Sequence, residues 1–320
     1  MATLTTNVSN LAAFQADLDT IDATGNGLVS ALNGLDSSYG SFFSGSLSIS
    51  SASPTQISGY FGGGGSFTIR GSGLQSATLA INYIGMFSGT GTDLELWGNI
   101  QASASSISGT TSSIRFASPM VSFQINGNLK VDAASPAENG TVSYLWISIP
   151  GAHPVVESLS GNLYLNADGT ISGTVSAASL QVDSDFLTLT GLSVPASLFN
   201  VNDEGNSAAT MLAGALAGAD AVTGAQSGQT LYGFAGNDTL TAGNADQTLL
   251  GGTGHDTYVL GGYASTTVTE NAGEGWRAPG PHLGGRRDLR AEAHAFLDVV
   301  VEGHGATVRV NSWTHETDRR

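Results

Sequence analysis

Between about residues 41 and 200, large apolar side chains alternate with small or polar ones, and a period of two reads as strand after strand. Leu79/Ile81/Tyr83, Val121/Phe123/Ile125 and Val142/Tyr144/Trp146 are clear instances. The first forty residues carry a different period. Leu11, Phe14, Leu18 and Ile21 recur at steps of three and four after Asn7, Ser9 and Asn10, any of which can cap a helix, and Thr24-Gly25-Asn26-Gly27 ends the pattern. A second short helical turn through Leu28, Leu32 and Leu35 is a weaker expectation.

Gly62-Gly63-Gly64-Gly65, Gly89-Thr90-Gly91, Asn126-Gly127-Asn128, Asn139-Gly140 and Ala167-Asp168-Gly169 separate the strands, and several have hairpin-turn chemistry. The fold class that follows is all-β: a β-sandwich-like or elongated β-sheet domain, preceded by a short helix, with no internal repeat of constant spacing. Val201-Asn202-Asp203-Glu204-Gly205-Asn206-Ser207 then reads as a polar linker into the small-residue segment 208–219.

From Ala215 the pattern changes again, to blocks of nine: ALAGADAVT, GAQSGQTLY, GFAGNDTLT, AGNADQTLL and GGTGHDTYV. The eighth position is always large and apolar (Val222, Leu231, Leu240, Leu249, Tyr258), while the first four are almost all small. Each block divides into a short strand, with its eighth side chain inward, and a turn whose carbonyls can face a cation. Two blocks make a coil, so neighbouring turns on one edge are eighteen residues apart. The sixth positions run Asp220, Gln229, Asp238, Gln247, Asp256, which puts every carboxylate on one edge and both carboxamides on the other.

Calcium takes several oxygens, some of them anionic. Up to two ions are therefore expected, between Asp220 and Asp238 and between Asp238 and Asp256, with carbonyls near Gly218, Gly236, Gly252 and Gly254 completing the set. The Gln229/Gln247 edge is expected to be weak or empty, and the fourth block departs furthest, with Ala245 for a Gly and Asp246 one place early.

These blocks resemble the pattern G-G-x-G-x-D-x-U-x of RTX (haemolysin-type repeat) proteins over about fifty residues, and Glu270-Asn271-Ala272-Gly273-Glu274-Gly275 is similar to the stretch that follows the last repeat in that family. The resemblance implies a secreted, extracellular protein exported by type I secretion machinery that reads an uncleaved C-terminal signal. The family includes toxins, proteases, lipases, surface-layer proteins and adhesins, so it selects no activity. Beyond Gly275 the resemblance stops, and the tail from residue 277 holds seven of the ten basic residues and four of the six His. Two readings stay open: a frameshift or truncation that replaced the native end, or a genuine pair of terminal strands at 296–301 and 306–310. The expected divisions are a helical segment over 1–38, the β-rich domain over 39–200, a linker over 201–214, the roll over 215–275 and the tail over 276–320.

Composition adds exclusions. Residues 1–276 hold twenty acidic but only three basic residues, Arg70, Arg115 and Lys130. Nucleic acid is an unsuitable partner for such a chain, whereas a divalent cation suits it. No cysteine is present, so thiolate sites and disulfides do not arise. The first ten residues have neither a basic nor a continuous apolar region, which agrees with leaderless export, and no segment is expected to span a membrane.

Catalytic signatures are sparse. No Gly-x-Ser-x-Gly elbow occurs, His315-Glu316 lacks the second His of a zinc motif, and His153 beside Pro154 reads as a turn residue. Asp93/Glu95 and Asp183/Asp185 lie too close in sequence for glycoside hydrolysis. The leading expectation is a structural, adhesive or surface-associated protein; the alternative is a secreted hydrolase acting on a polysaccharide or ester. Trp97, Trp146, Tyr60 and Tyr144 could stack on sugars of a cell-surface or extracellular polysaccharide if exposed, although core packing is the expected fate of each.

Overall fold

The computed structural model describes residues 1–23, 46–62, 64–89, 91–103, 106–132, 140–165, 171–199, 207–224, 226–243, 246–260, 265–269, 297–301 and 307–311. The chain is all-β and divides into two compact units. The expected helical turn at Leu28 to Leu35, the stretch 201–206, the Glu270–Gly275 motif and the tail up to residue 296 lie outside the described residues.

One unit comprises residues 16–183 and 193–202. Its strands are β2 (Leu47–Ala52), β3 (Gln56–Phe61), β4 (Ser66–Ser72), β5 (Thr78–Phe87), β6 (Asp93–Ser103), β7 (Ile107–Ala117), β8 (Ser122–Asp132), β9 (Gly140–Ile149), β10 (Val155–Leu165) and β11 (Ile171–Val182). Each pairs antiparallel with the next, so of the two arrangements left open by the sequence it is the elongated sheet, hydrogen-bonded in chain order, that forms. Alternation sets the faces. Ile84, Leu96, Ile114, Ile125, Leu145 and Leu159 stand directly opposite one another across six strands and make an aliphatic row. The adjacent row, Leu94, Phe116, Phe123 and Ile147, continues to Glu157 and Leu180. Glu157 thus occupies an apolar position; part of the residue reaches solvent, but its carboxyl is the enclosed part, and burial pushes its pKa up to about 7.

A repeat does exist in this sheet. Gly98-Asn99-Ile100, Gly127-Asn128-Leu129 and Gly161-Asn162-Leu163 each open the far half of a hairpin, and each Asn lies opposite the Thr of a returning Gly-Thr pair (Thr110, Thr141, Thr174). The turns between differ in length, which hides the period from a search for constant spacing. A bulge precedes each of these three glycines, at Trp97/Gly98, Asn126/Gly127 and Ser160/Gly161. A Cβ on Gly127 would run into Thr141 O, so Gly127→Ala is expected to lower stability by about 1–3 kcal/mol, read as a shift in urea midpoint.

The other unit comprises residues 1–15, 184–192 and 203–320. It holds β1 (Thr3–Thr6), most of β12 (Asp185–Pro195) and the roll strands β13 (Ala221–Gly224), β14 (Gln229–Tyr232), β15 (Thr239–Thr241), β16 (Gln247–Leu250), β17 (Asp256–Leu260) and β18 (Ser265–Thr269). Alternate strands pair in parallel, β13 with β15 and β17, β14 with β16 and β18, as nine-residue blocks winding two to a coil require. The eighth-position side chains, Val222, Leu231, Leu240, Leu249 and Tyr258, are each no more than 1% exposed. Full burial of such a side chain contributes about 1.5–3 kcal/mol, so this narrow stack carries the roll.

Three features here differ from the expectation or refine it. The N-terminal strand β1 pairs parallel with β13, with Leu4 opposite Val222, so it serves as one more rung of the roll. Residues 208–214, expected within the linker, form most of helix α2 (Ala208–Ala215), whose Ser207 side chain accepts from Thr210 N; α1 is Leu11–Ala23, and Asn10 Oδ1 accepts from Ala12 N and Ala13 N at 3.0 and 3.1 Å. In the tail, β19 (Leu297–Val301) and β20 (Thr307–Asn311) are strands, but they add to β17 and β18 rather than pairing with each other.

Candidate cation flank of the roll

Each coil advances eighteen residues, so Asp220, Asp238 and Asp256 fall one above another on the β13-β15-β17 flank, and all three are buried. They form a ladder. Asp220 N donates to Asp238 Oδ1 at 2.8 Å, Asp238 N donates to Asp256 Oδ1 at 2.9 Å, and Ala2 N donates in the same way to Asp220 Oδ1. Strand β1 therefore continues the ladder with an alanine where an acid would stand.

Those bonds occupy one oxygen of each carboxylate. The second oxygen of Asp220 accepts from Gly218 N at 3.2 Å, whereas Asp238 Oδ2 and Asp256 Oδ2 are buried without any hydrogen-bond partner. Both orphaned oxygens point over the first glycine of their own block: a Cβ on Gly233 would lie 2.7 Å from Asp238 Oδ2, and one on Gly251 would meet Asp256 Oδ2. Leaving a buried charged oxygen unpaired is costly. Burial accordingly pushes the Asp238 carboxyl up to about 7 and raises that of Asp256.

Glycines make the turns possible. Gly236 and Gly254 have φ of 137° and 131°, and a Cβ on either would collide with the carbonyl one coil earlier, Gly218 O or Gly236 O. Gly252 has φ of 97°, and one coil earlier Phe234 holds a φ of 71°, a left-handed conformation that is strained for an aromatic residue. The donors on offer are thus aspartate oxygens and turn carbonyls, all oxygen, which is the chemistry of a hard divalent cation. Among the described residues no three acidic or His side chains converge on one point, so any ion here draws on one carboxylate per turn and on backbone.

The opposite flank is closed by amides. Gln247 Nε2 donates to Gln229 Oε1 at 3.2 Å and to Gln226 O at 3.1 Å, while Gln229 Nε2 donates to Thr6 O at 2.8 Å. Gln226 N and Gly243 N return bonds to the two Oε1 atoms at 3.2 and 2.9 Å. Carboxamide N–H groups supply internally what carboxylates would need from a cation. Ala245 lies outside the described residues, and the ladder passes to Thr266, opposite Gln247, whose Oγ1 is buried without a partner.

Elsewhere, His153 Nδ1 lies 2.8 Å from Asp183 Oδ2 on an exposed turn, and that bond with its charge raises the imidazole pKa. Glu95, one of the carboxylates weighed for hydrolysis, accepts from Tyr83 Oη at 2.9 Å and pairs with Arg115 at 3.0 Å. Burial first, then the bond to Glu95, pushes the Tyr83 pKa up to about 12. The aromatics expected in the core are not there: Trp97, Tyr144 and Trp146 are half-buried on the face opposite the aliphatic rows, and Tyr60 is exposed. No helix among the described residues is long and apolar enough to cross a membrane. Neither a family model, nor a curated protein, nor a solved structure matches this chain.

Proposed function

We propose that the roll binds calcium along its aspartate flank and that the chain is an extracellular, surface-associated or adhesive protein whose roll completes its fold on meeting the ion. The observation that carries this reading is the pair of buried, unpartnered oxygens, Asp238 Oδ2 and Asp256 Oδ2, above turns rich in glycine carbonyls. Asp220, Asp238 and Asp256 would hold the ions, with carbonyls near Gly218, Gly236, Gly252 and Gly254. When bound, the cation supplies positive charge to a row of carboxylates that burial otherwise disfavours.

One carboxylate oxygen per turn places affinity at the weak extracellular end, roughly 10⁻⁴ to 10⁻³ M. Such sites stay empty at cytosolic calcium and fill outside, so folding of the roll follows export, in keeping with the resemblance to RTX proteins and their type I route. The test is calorimetric titration of the full chain with calcium after EGTA treatment, with far-ultraviolet circular dichroism recorded alongside. Saturable uptake with a gain of β signal supports the reading; no heat and no spectral change discards it.

A further inference from the structure

We propose that the polar face of the β2–β11 sheet binds an extended acidic polysaccharide, one that carries carboxylate groups along its length. The inference deepens the adhesive part of the reading above and does not require the roll to bind a cation.

The bulges that bend each hairpin define a row. Trp97, Asn126 and Ser160 immediately precede bulge glycines, and Arg70 precedes the irregularity at Gly71. Cross-strand register joins them through Tyr83, Ser113 and Tyr144, so these side chains share one face. The neighbouring row runs Glu95, Arg115, Gln124 and Trp146. No aliphatic side chain stands in either run, whereas the reverse face is aliphatic strand after strand. This composition does not suit a buried protein interface. It offers half-exposed rings between amides and hydroxyls, which is what a sugar chain presents partners for: C–H faces to stack and hydroxyls to bond.

The network is already ordered. Ser113 Oγ lies 2.8 Å from Asn126 Oδ1, Gln124 Nε2 donates to the same oxygen at 3.0 Å, and the Tyr83 and Trp97 rings sit 5.4 Å apart. From β6 to β9, which carry Trp97 and Trp146, is about 14 Å at ordinary strand spacing, a length of several sugar rings.

Charge selects the acidic class. Residues 1–276 hold two arginines, and both are here and exposed. Arg70 lies over the Tyr83 ring at 5.0 Å with no carboxylate partner among the described residues, while Arg115 shares Glu95 and Asp93 stands at the strand end. In a chain with twenty acidic residues over that span, these central rows carry more positive than negative charge. Guanidinium groups pair with carboxylates in a fixed fork, so a uronate polymer fits.

The experiment is affinity electrophoresis of the full chain through gels containing polygalacturonate, dextran or neither, in EGTA and again in calcium. Retardation by polygalacturonate in EGTA is expected, with Trp146→Ala, Trp97→Phe and Arg115→Ala each weakening it, Trp146→Ala by about tenfold. Lys130→Ala, beyond the bulge line, should leave binding unchanged. Equal retardation by dextran, an equal loss in Lys130→Ala, or binding of poly(dT) in place of polygalacturonate overturns the proposal. Unaltered circular dichroism of each variant separates lost contact from lost fold. Because the EGTA arm needs no ion on the roll, failure here and failure of the calcium titration are read independently.

Discussion

Asp238→Asn reverses sign with calcium: the variant is more stable than the parent in EGTA and less stable in millimolar calcium. Asp238 is the middle rung, bonded through Oδ1 to Asp220 N, and its own N–H reaches Asp256. An asparagine keeps the accepting oxygen and the shape but removes a buried charge whose second oxygen has no partner. Without the ion that removal relieves about 1–3 kcal/mol. With it, both neighbouring positions lose their shared carboxylate, and the calcium midpoint rises at least about tenfold, near 1.4 kcal/mol. Urea unfolding of parent and variant with EGTA or 5 mM calcium, the latter about five times the upper end of the expected affinity, reads both arms. Asp246→Asn, next to a carboxamide rung, is the control; identical behaviour of the two variants would sink the assignment.

Glu157→Leu stabilises the sheet, and more so at alkaline than at acid pH. The carboxyl lies in a row otherwise made of Phe116, Phe123, Ile147 and their like, and burial holds its pKa near 7 against an ordinary 4.5. The folded state then binds this proton more tightly than the unfolded chain does. Its contribution is intact below 4.5, is lost as pH climbs toward 7, and is gone above that, a fall of about 1–3 kcal/mol. The leucine variant has no such slope. Denaturation midpoints at pH 5 and pH 8 measure the difference, and parallel curves for parent and variant would place the carboxyl in water.

The roll was legible because its signal is local and strictly spaced: an inward residue every nine positions, and an acid every eighteen from Asp220 to Asp256. The strands of the sheet were legible from alternation for the same reason. What escaped shares a physical cause, which is distance or irregular spacing. Turns of unequal length broke the period of Gly98, Gly127 and Gly161, although the three hairpins share one register. Helix α2 is short and built of small residues, with Ser207 as its main signal. Size alone favours burial of the aromatics, yet Trp97 and Tyr144 sit in phase with Asn126 and Ser113, and that phase, read across strands, points them outward. The ladder's hydrogen bonds, which leave only some aspartate oxygens open, depend on backbone positions that no spacing rule reveals.

Strand β1 has a consequence for folding. Its parallel neighbour is β13, and Ala2 bonds to Asp220 across 218 residues of chain. On its other side β1 pairs antiparallel with β12, Thr3 opposite Thr190, so one edge of Thr3–Thr6 closes with β12 and the second closes only when the roll forms. Until calcium completes the roll, Thr3–Thr6 keeps that second edge open, which makes protease sensitivity there a clock for the roll's completion.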